Sequence, residues 1–330
     1  MRIIMTIVAT VVWMAVSLPV LGNDSMATLE TGGLVLTRNE QVAITSEDLF
    51  ISMDKVEVRY VFTNLTDKDI TTLVAFPMPD IEDSERNVAI PNRYSDNFVD
   101  FEITVDGKPI QPRAEVKAFI NGKDITELLK QYSLPLNPFV SMKIFVSEQN
   151  SDQRKNMTEE GFRYISQLME SDILSWTLKT TYYWEQTFPA GRSINVFHRY
   201  TPSVGGSWGH TAPQLAQTIS KNESGEYDDY CIDQSFLAGL TKTNRRTDHD
   251  QEHWVNVRQL EYVLVTGANW AGGTIGDFRL VVDKGKTENL VSFCGEGVKK
   301  IAPTQFEMRS KNFKPTKNLS IFIFSPLQWE

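Results

Sequence analysis

The chain has four histidines, and two of them stand in a catalytic word, His249-Asp250-Gln251-Glu252-His253. H-x-x-E-H spacing on a helix sets both imidazoles on one face to bind zinc, with the glutamate as base. The flanks do not read as a helix. Asn244 to Asp248 is polar, Trp254-Val255-Asn256-Val257 alternates as a strand does, and the acid that stands out downstream is Glu330 at the chain end. A solvated loop entering a strand is therefore expected, and no metal is assigned to His249, Glu252 and His253. Gly205-Gly206-Ser207-Trp208-Gly209 matches G-x-S-x-G. A nucleophile elbow needs a strand running into the serine and a helix leaving it. Pro202 and Thr211-Ala212-Pro213 interrupt both sides, so Ser207 is expected on a surface loop.

His198 lies on the apolar face of a strand pattern beside Val196 and Tyr200. A general base needs a hydrogen-bonded partner, and the sequence identifies none; no catalytic residue is assigned. Trp184, Gln186, His198, Tyr200, Asn269 and Trp270 form the candidate binding set. Aromatics at period two serve the core first and a sugar-stacking or peptide-binding platform second. Glu223 to Asp229 supplies hard oxygen ligands, but the EF-hand spacing is absent, so a solvated acidic loop is expected. The glycines from Gly267 to Gly276 lack the P-loop lysine and the Rossmann spacing and read as turns. No cofactor is expected.

The elements that must position these residues are mostly strands. Val56, Val58, Tyr60 and Phe62 alternate with Glu57, Arg59, Val61 and Thr63, the signature of a half-buried strand. Thr72 to Phe76 begins another, stopped by Pro77. Phe101 to Val105, Asp106-Gly107 and Lys108 to Ile110 read as a hairpin, because Asp-Gly accepts the positive φ values of a type I′ turn. Asp124 to Glu127 and Asn156 to Glu159 have capping-box spacing ahead of two short amphipathic helices. Period two returns at Leu178, Thr180, Tyr182 and Trp184, and again at Ile194, Val196, His198 and Tyr200. A mostly polar segment runs from Ser203 to Asn222, followed by a short helix over 233–240 and strands over 255–266, 277–282 and 319–324. The fold class expected is mainly β: two antiparallel β-sandwich-like regions with a short helical insertion between them. The domain boundaries that follow are a leader over 1–22, an N-terminal β domain over 23–118, a helical insertion over 119–173 and a C-terminal β domain over 174–330.

Arg2, the uncharged run from Ile3, Pro19 and the small Gly22 match a secretory signal cleaved near Gly22/Asn23. The export reading gives Cys231 and Cys294 an oxidising compartment and one expected disulfide. Lys and Arg number 33 against 42 Asp and Glu, a net charge of −9, and the leader removes only Arg2. That balance excludes a generic nucleic-acid binder, which needs a basic surface, and disfavours attraction to anionic lipid. With 41% hydrophobic residues the chain has ample apolar mass for a core. After leader removal no segment is long and apolar enough for membrane insertion.

Several words carry a family resemblance: Asn23-Asp24-Ser25, Thr31-Gly32-Gly33-Leu34, Ser46-Glu47-Asp48-Leu49, Val74-Ala75-Phe76-Pro77-Met78-Pro79-Asp80, Trp184 to Gly191, His198-Arg199-Tyr200-Thr201-Pro202, Thr266-Gly267-Ala268-Asn269-Trp270, Asp277 to Lys284 and Val291 to Cys294. On these the chain resembles the bacterial domain-of-unknown-function family 4424. The resemblance implies an exported bacterial protein and carries over no catalytic residue or cofactor. The words Phe62-Thr63-Asn64, Ala75 to Pro79 and Phe101 to Lys108 are also similar to the VIT domain, a β-sandwich. The expected function is that of an exported, periplasmic, non-enzymatic binding or assembly protein of the bacterial cell envelope, with an envelope protein or glycan as partner. The alternative is an envelope hydrolase acting on glycan or peptide, possible with a metal.

Overall fold

The computed structural model describes residues 23–30, 33–82, 88–95, 97–141, 158–170, 173–174, 176–222, 225–244 and 254–326. The leader expected over 1–22 lies outside them, as does the His249, Glu252 and His253 word.

Strands are the main secondary structure of the described chain. The first sheet has the order β10 (Lys123–Asp124), β9 (Arg113–Ile120), β13 (Thr177–Phe188), β5 (Ile70–Pro77), β1 (Ser25–Glu30) and β2 (Gly33–Thr37), with β6 (Ile81–Glu82) paired to β13. The second runs β19 (Lys299–Lys300), β20 (Gln305–Phe313), β17 (Ile275–Asp283), β3 (Val42–Ile51), β4 (Val56–Asn64), β14 (Ser193–Tyr200), β7 (Glu102–Val105) and β8 (Lys108–Ile110). A third sheet is β15 (Gly205–Thr211), β16 (Trp254–Tyr262), β21 (Leu319–Pro326) and β18 (Leu290–Phe293), and β11 (Met169–Glu170) pairs with β12 (Ile173–Leu174).

The expected strands form where period two predicts them. In β4, Val56, Val58, Tyr60 and Phe62 are buried; in β14, Ile194, Val196, His198 and Tyr200 are. The Asp106-Gly107 hairpin joins β7 to β8 with positive φ at both turn residues. The boundaries at 118 and 174, however, do not separate sheets. Strands from 193 onward pair with β3, β4 and β7, and β13 pairs with β5 and β9. One contact is also parallel rather than antiparallel, between β17 and β3. A parallel pair needs a long crossover rather than a turn, and here the chain between the partners supplies it.

The inner faces of the first two sheets and part of the third share one large core, with Trp270, Tyr60, Tyr262, Phe62 and Phe76 among its largest buried side chains. A smaller core packs Leu215, Ile219, Phe236 and Leu240 against Val255, Val257, Phe322 and Phe324. Its helices are α3 (Ala212–Lys221) and α4 (Gln234–Asn244); α1 (Thr126–Gln131) and α2 (Glu159–Leu168) belong to the insertion. Capping differs from expectation at each insertion helix. Asp124 Oδ1 accepts from Thr126 N, and Thr158 Oγ1 accepts from Gly161 N; Asn156 lies outside the described residues. The polar segment after Ser203 is structured, because Thr211 and Gln214 form a reciprocal capping box with Pro213 in the first turn of α3, where its missing N–H costs nothing. Among the described residues no helix is long and apolar enough to cross a membrane.

Candidate functional site

His198 is fully buried on β14 and ringed by aromatics: Phe76 at 5.0 Å, Phe101 at 5.2 Å, Tyr60 at 5.4 Å and Trp184 at 5.5 Å between ring centroids. Its Nε2 lies 3.6 Å from Asp24 Oδ2, itself fully buried. Burial drives the imidazole pKa down to about 3, so the ring is neutral and the contact is no ion pair at neutral pH. Burial, reinforced by Glu47, holds the Asp24 carboxyl well above the usual carboxylate range. Glu47 is raised to about 8 by burial, against a smaller opposing effect of its hydrogen bond from Asn23.

A β-bulge places Glu47 there. The pairing of β3 with β4 slips between Ile44 and Ser46, so the buried series changes phase from Val42 and Ile44 to Glu47, Leu49 and Ile51. One extra residue turns the other face inward. Opposite the bulge stands Gly276, where a Cβ would meet Thr45 O at 2.7 Å.

The segment 23–25 runs through this interior. Asn23 N donates to Thr266 Oγ1, which donates in turn to Asn23 O at 2.6 Å. Trp270 Nε1 donates to Asp24 O at 2.6 Å, and Asn269 Nδ2 to Ser25 Oγ at 3.0 Å. The Tyr60 hydroxyl donates to Asn23 Oδ1 and pairs with the Tyr262 hydroxyl at 2.9 Å. The words that carry the family resemblance thus meet in space. Asn23-Asp24-Ser25, Glu47, Phe76, Trp184, His198 and the Thr266 to Trp270 turn all contribute to one sealed polar centre.

These positions correct the reading of a platform. Trp184, His198 and Trp270 are 3%, 0% and 1% exposed, so no ligand can stack on them without opening the core. Gln186 is buried and donates to Thr187 O at 2.7 Å, while Asn269 is half-buried and spent on Ser25. Ser207 lies within β15, opposite Val257, rather than on a loop or at a strand-to-helix turn. Cys231 and Cys294 form the expected disulfide. Among the described residues no three His, Cys, Asp or Glu side chains converge as metal ligands would.

Tyr200 is the member of the set that reaches an open space. Past the end of β14, where the three sheets meet, lies a cavity of about 320 Å³, a size suited to a small ligand. Its walls include Tyr200, Phe98 and Tyr230, and its polar lining includes Asp80, Glu226, Gln259 and Glu261. Gln259 and Glu261 project from the same face of β16 because they are two residues apart. Glu261 is solvent-exposed yet recessed, and its carboxyl is raised above the usual range by desolvation first, then by Asp229 and Asp80. The Tyr230 hydroxyl is pushed up to about 12 by burial, then by Glu261, Glu226 and Asp229. In both, the neighbouring carboxylates add to the larger effect of burial, and Lys179 offsets part of that negative charge through its ion pair with Asp80. Ser203 Oγ, also on the cavity lining, has no hydrogen-bond partner among the described residues. The cleft leaves no local mark in the sequence beyond the acidic stretch before Cys231, because its lining is spread from Met78 to Glu261.

No curated protein matches the chain. Among solved structures it is similar to a Legionella pneumophila protein provisionally described as nutrient-binding, at 15% identity and a TM-score of 0.42, covering 92% of this chain and 70% of that one. It is also similar to a two-domain M1 zinc metallopeptidase mutant bound to L-tryptophan, at 5% identity and a TM-score of 0.23, covering 87% of this chain and 44% of that one. At these scores neither likeness carries an argument. The family model for the domain of unknown function DUF4424 matches residues 22–322, and the chain belongs to that family.

Proposed function

We propose that the chain is an exported, non-catalytic binding protein of the bacterial envelope, and that the cleft between Tyr200 and Glu261 takes a small organic cation. The single observation that carries this reading is the cleft's composition. Carboxylates from separate segments, Glu226 and Glu261, share a recess with Tyr200, Tyr230 and Phe98. An ammonium group gains from a recessed carboxylate by charge-assisted hydrogen bonding and from an aromatic face by cation–π attraction. The remaining apolar wall, with Met78, Ile81 and Val88, suits the hydrocarbon part of such a ligand. Export rests on the leader pattern and the disulfide, which fits an oxidising compartment.

Isothermal calorimetry with primary amines and quaternary ammonium compounds, each against its neutral alcohol of the same size, tests the proposal. Cations should bind at least about tenfold tighter than their neutral counterparts, a difference of about 1.4 kcal/mol. Equal or stronger binding of the neutral series would contradict it.

A further inference from the structure

The sealed polar centre has an unmet electrostatic requirement. Both carboxyl oxygens of Asp24 and Oε1 of Glu47 have no hydrogen-bond partner among the described residues. A buried, unpaired carboxylate is among the most unfavourable groups a core can hold. The backbone nitrogen of Asn23 is fully buried in the same place, donating to Thr266 Oγ1. The Asn23 side chain bridges onward, with Nδ2 donating to Glu47 Oε2 at 3.2 Å. The leader pattern puts the scissile bond on that nitrogen.

We propose that Asp24 and Glu47 are the receptor for the α-ammonium that leader removal creates at Asn23. The proposal rests on the leader reading and is independent of the cleft. Hydrolysis adds water across the Gly22–Asn23 amide, catalysed by a leader peptidase: Gly22 leaves with a carboxylate, and the Asn23 nitrogen gains protons to become an ammonium. One N–H donor becomes three. Thr266 Oγ1 keeps one, which leaves two for the unpaired carboxyl oxygens of Asp24 and Glu47. One of the two carboxyl groups then ionises against the ammonium and the other keeps its proton, which leaves the site neutral.

The titratable groups gathered around Asn23 and Asp24 are Glu47 on β3, which accepts from Asn23 Nδ2, Tyr60 on β4, whose hydroxyl donates to Asn23 Oδ1, Tyr262 on β16, paired with Tyr60, and His198 on β14, 3.6 Å from Asp24. Burial holds the tyrosines protonated and the imidazole neutral, so the carboxyl pair is what responds to the new charge. In the precursor the nitrogen is an uncharged amide with a single N–H, so the carboxyl pair gains its charged partner only after cleavage, and processing thereby stabilises the fold.

The test uses exported protein whose first residue is read by mass spectrometry, with an amine-reactive reagent applied near neutral pH to the native chain and to a free Asn-Asp-Ser peptide. The first residue should be Asn23. Its α-amine should label at least about tenfold more slowly than the peptide's, and should titrate about one unit or more above the ordinary 7.7–8.0. Glu47→Gln should bring that value back down. A chain with Gly-Ser retained ahead of Asn23 should melt at lower temperature. A first residue other than Asn23, peptide-like labelling, an ordinary titration, or an extended chain as stable as the mature one would each overturn the proposal. If the extended chain does not fold, labelling and titration of the mature chain decide the matter alone.

Discussion

His198 Nε2 and Asp24 Oδ2 lie 3.6 Å apart with both side chains fully buried, and they do not form an ion pair. The ring's folded pKa of about 3 lies below its ordinary 6.5. Below pH 6.5 the unfolded chain takes up a proton that the folded chain refuses, so stability falls as pH drops from 6.5 towards 3. His198→Leu should flatten that slope. Denaturant unfolding between pH 3 and 7 checks it; an unchanged slope would mean that the imidazole is already protonated or accessible in the folded state.

The bulge that aims Glu47 depends on Gly276. A methyl group there would stand 2.7 Å from Thr45 O, and overpacking of this kind costs about 1–3 kcal/mol. Gly276→Ala should therefore lower the unfolding free energy by that amount, read as a lower midpoint in denaturant titrations. No loss would show that the bulge moves freely.

This bulge also shows why part of the fold was illegible. Strands β4, β13 and β14 keep an unbroken period of two, and the sequence shows them plainly. In β3 the phase changes at Thr45, so the alternation that would reveal the strand cancels itself and Glu47 gives no sign of facing inward. The parallel pairing of β17 with β3 joins residues more than two hundred positions apart, and nothing local encodes it. Periodicity did place His198 and Trp184 on apolar faces. What it could not tell was whether those faces were covered, and both are.

Trp270 separates structural from ligand-binding roles. Its indole donates to Asp24 O and packs 4.7 Å from Phe62 between ring centroids. Trp270→Phe keeps an aromatic ring and leaves a buried carbonyl unpaired, at a cost of about 1–3 kcal/mol. Thermal melting should show the loss while calorimetric affinity in the cleft stays unchanged. A variant of wild-type stability with weakened binding would restore the platform reading.

The Cys231–Cys294 bridge closes a long loop, separation 63, and Tyr230 of the cleft wall adjoins Cys231. Chain-entropy arguments assign such a loop about 4 kcal/mol. The Cys231→Ala/Cys294→Ala double variant should lose stability of that order in denaturant titrations and should also bind cations more weakly, because its aromatic wall is no longer fixed. Intact affinity in the folded double variant would place the ligand elsewhere.

The central claim turns on Glu261, whose carboxylate sits recessed on β16 among other acids. The decisive measurement is calorimetric affinity for one tightly bound organic cation in the wild type and in Glu261→Gln, which keeps shape and removes charge. The account predicts at least about tenfold weaker binding in the variant, equivalent to about 1.4 kcal/mol, with an unchanged melting temperature. Equal affinity in the two proteins would contradict it.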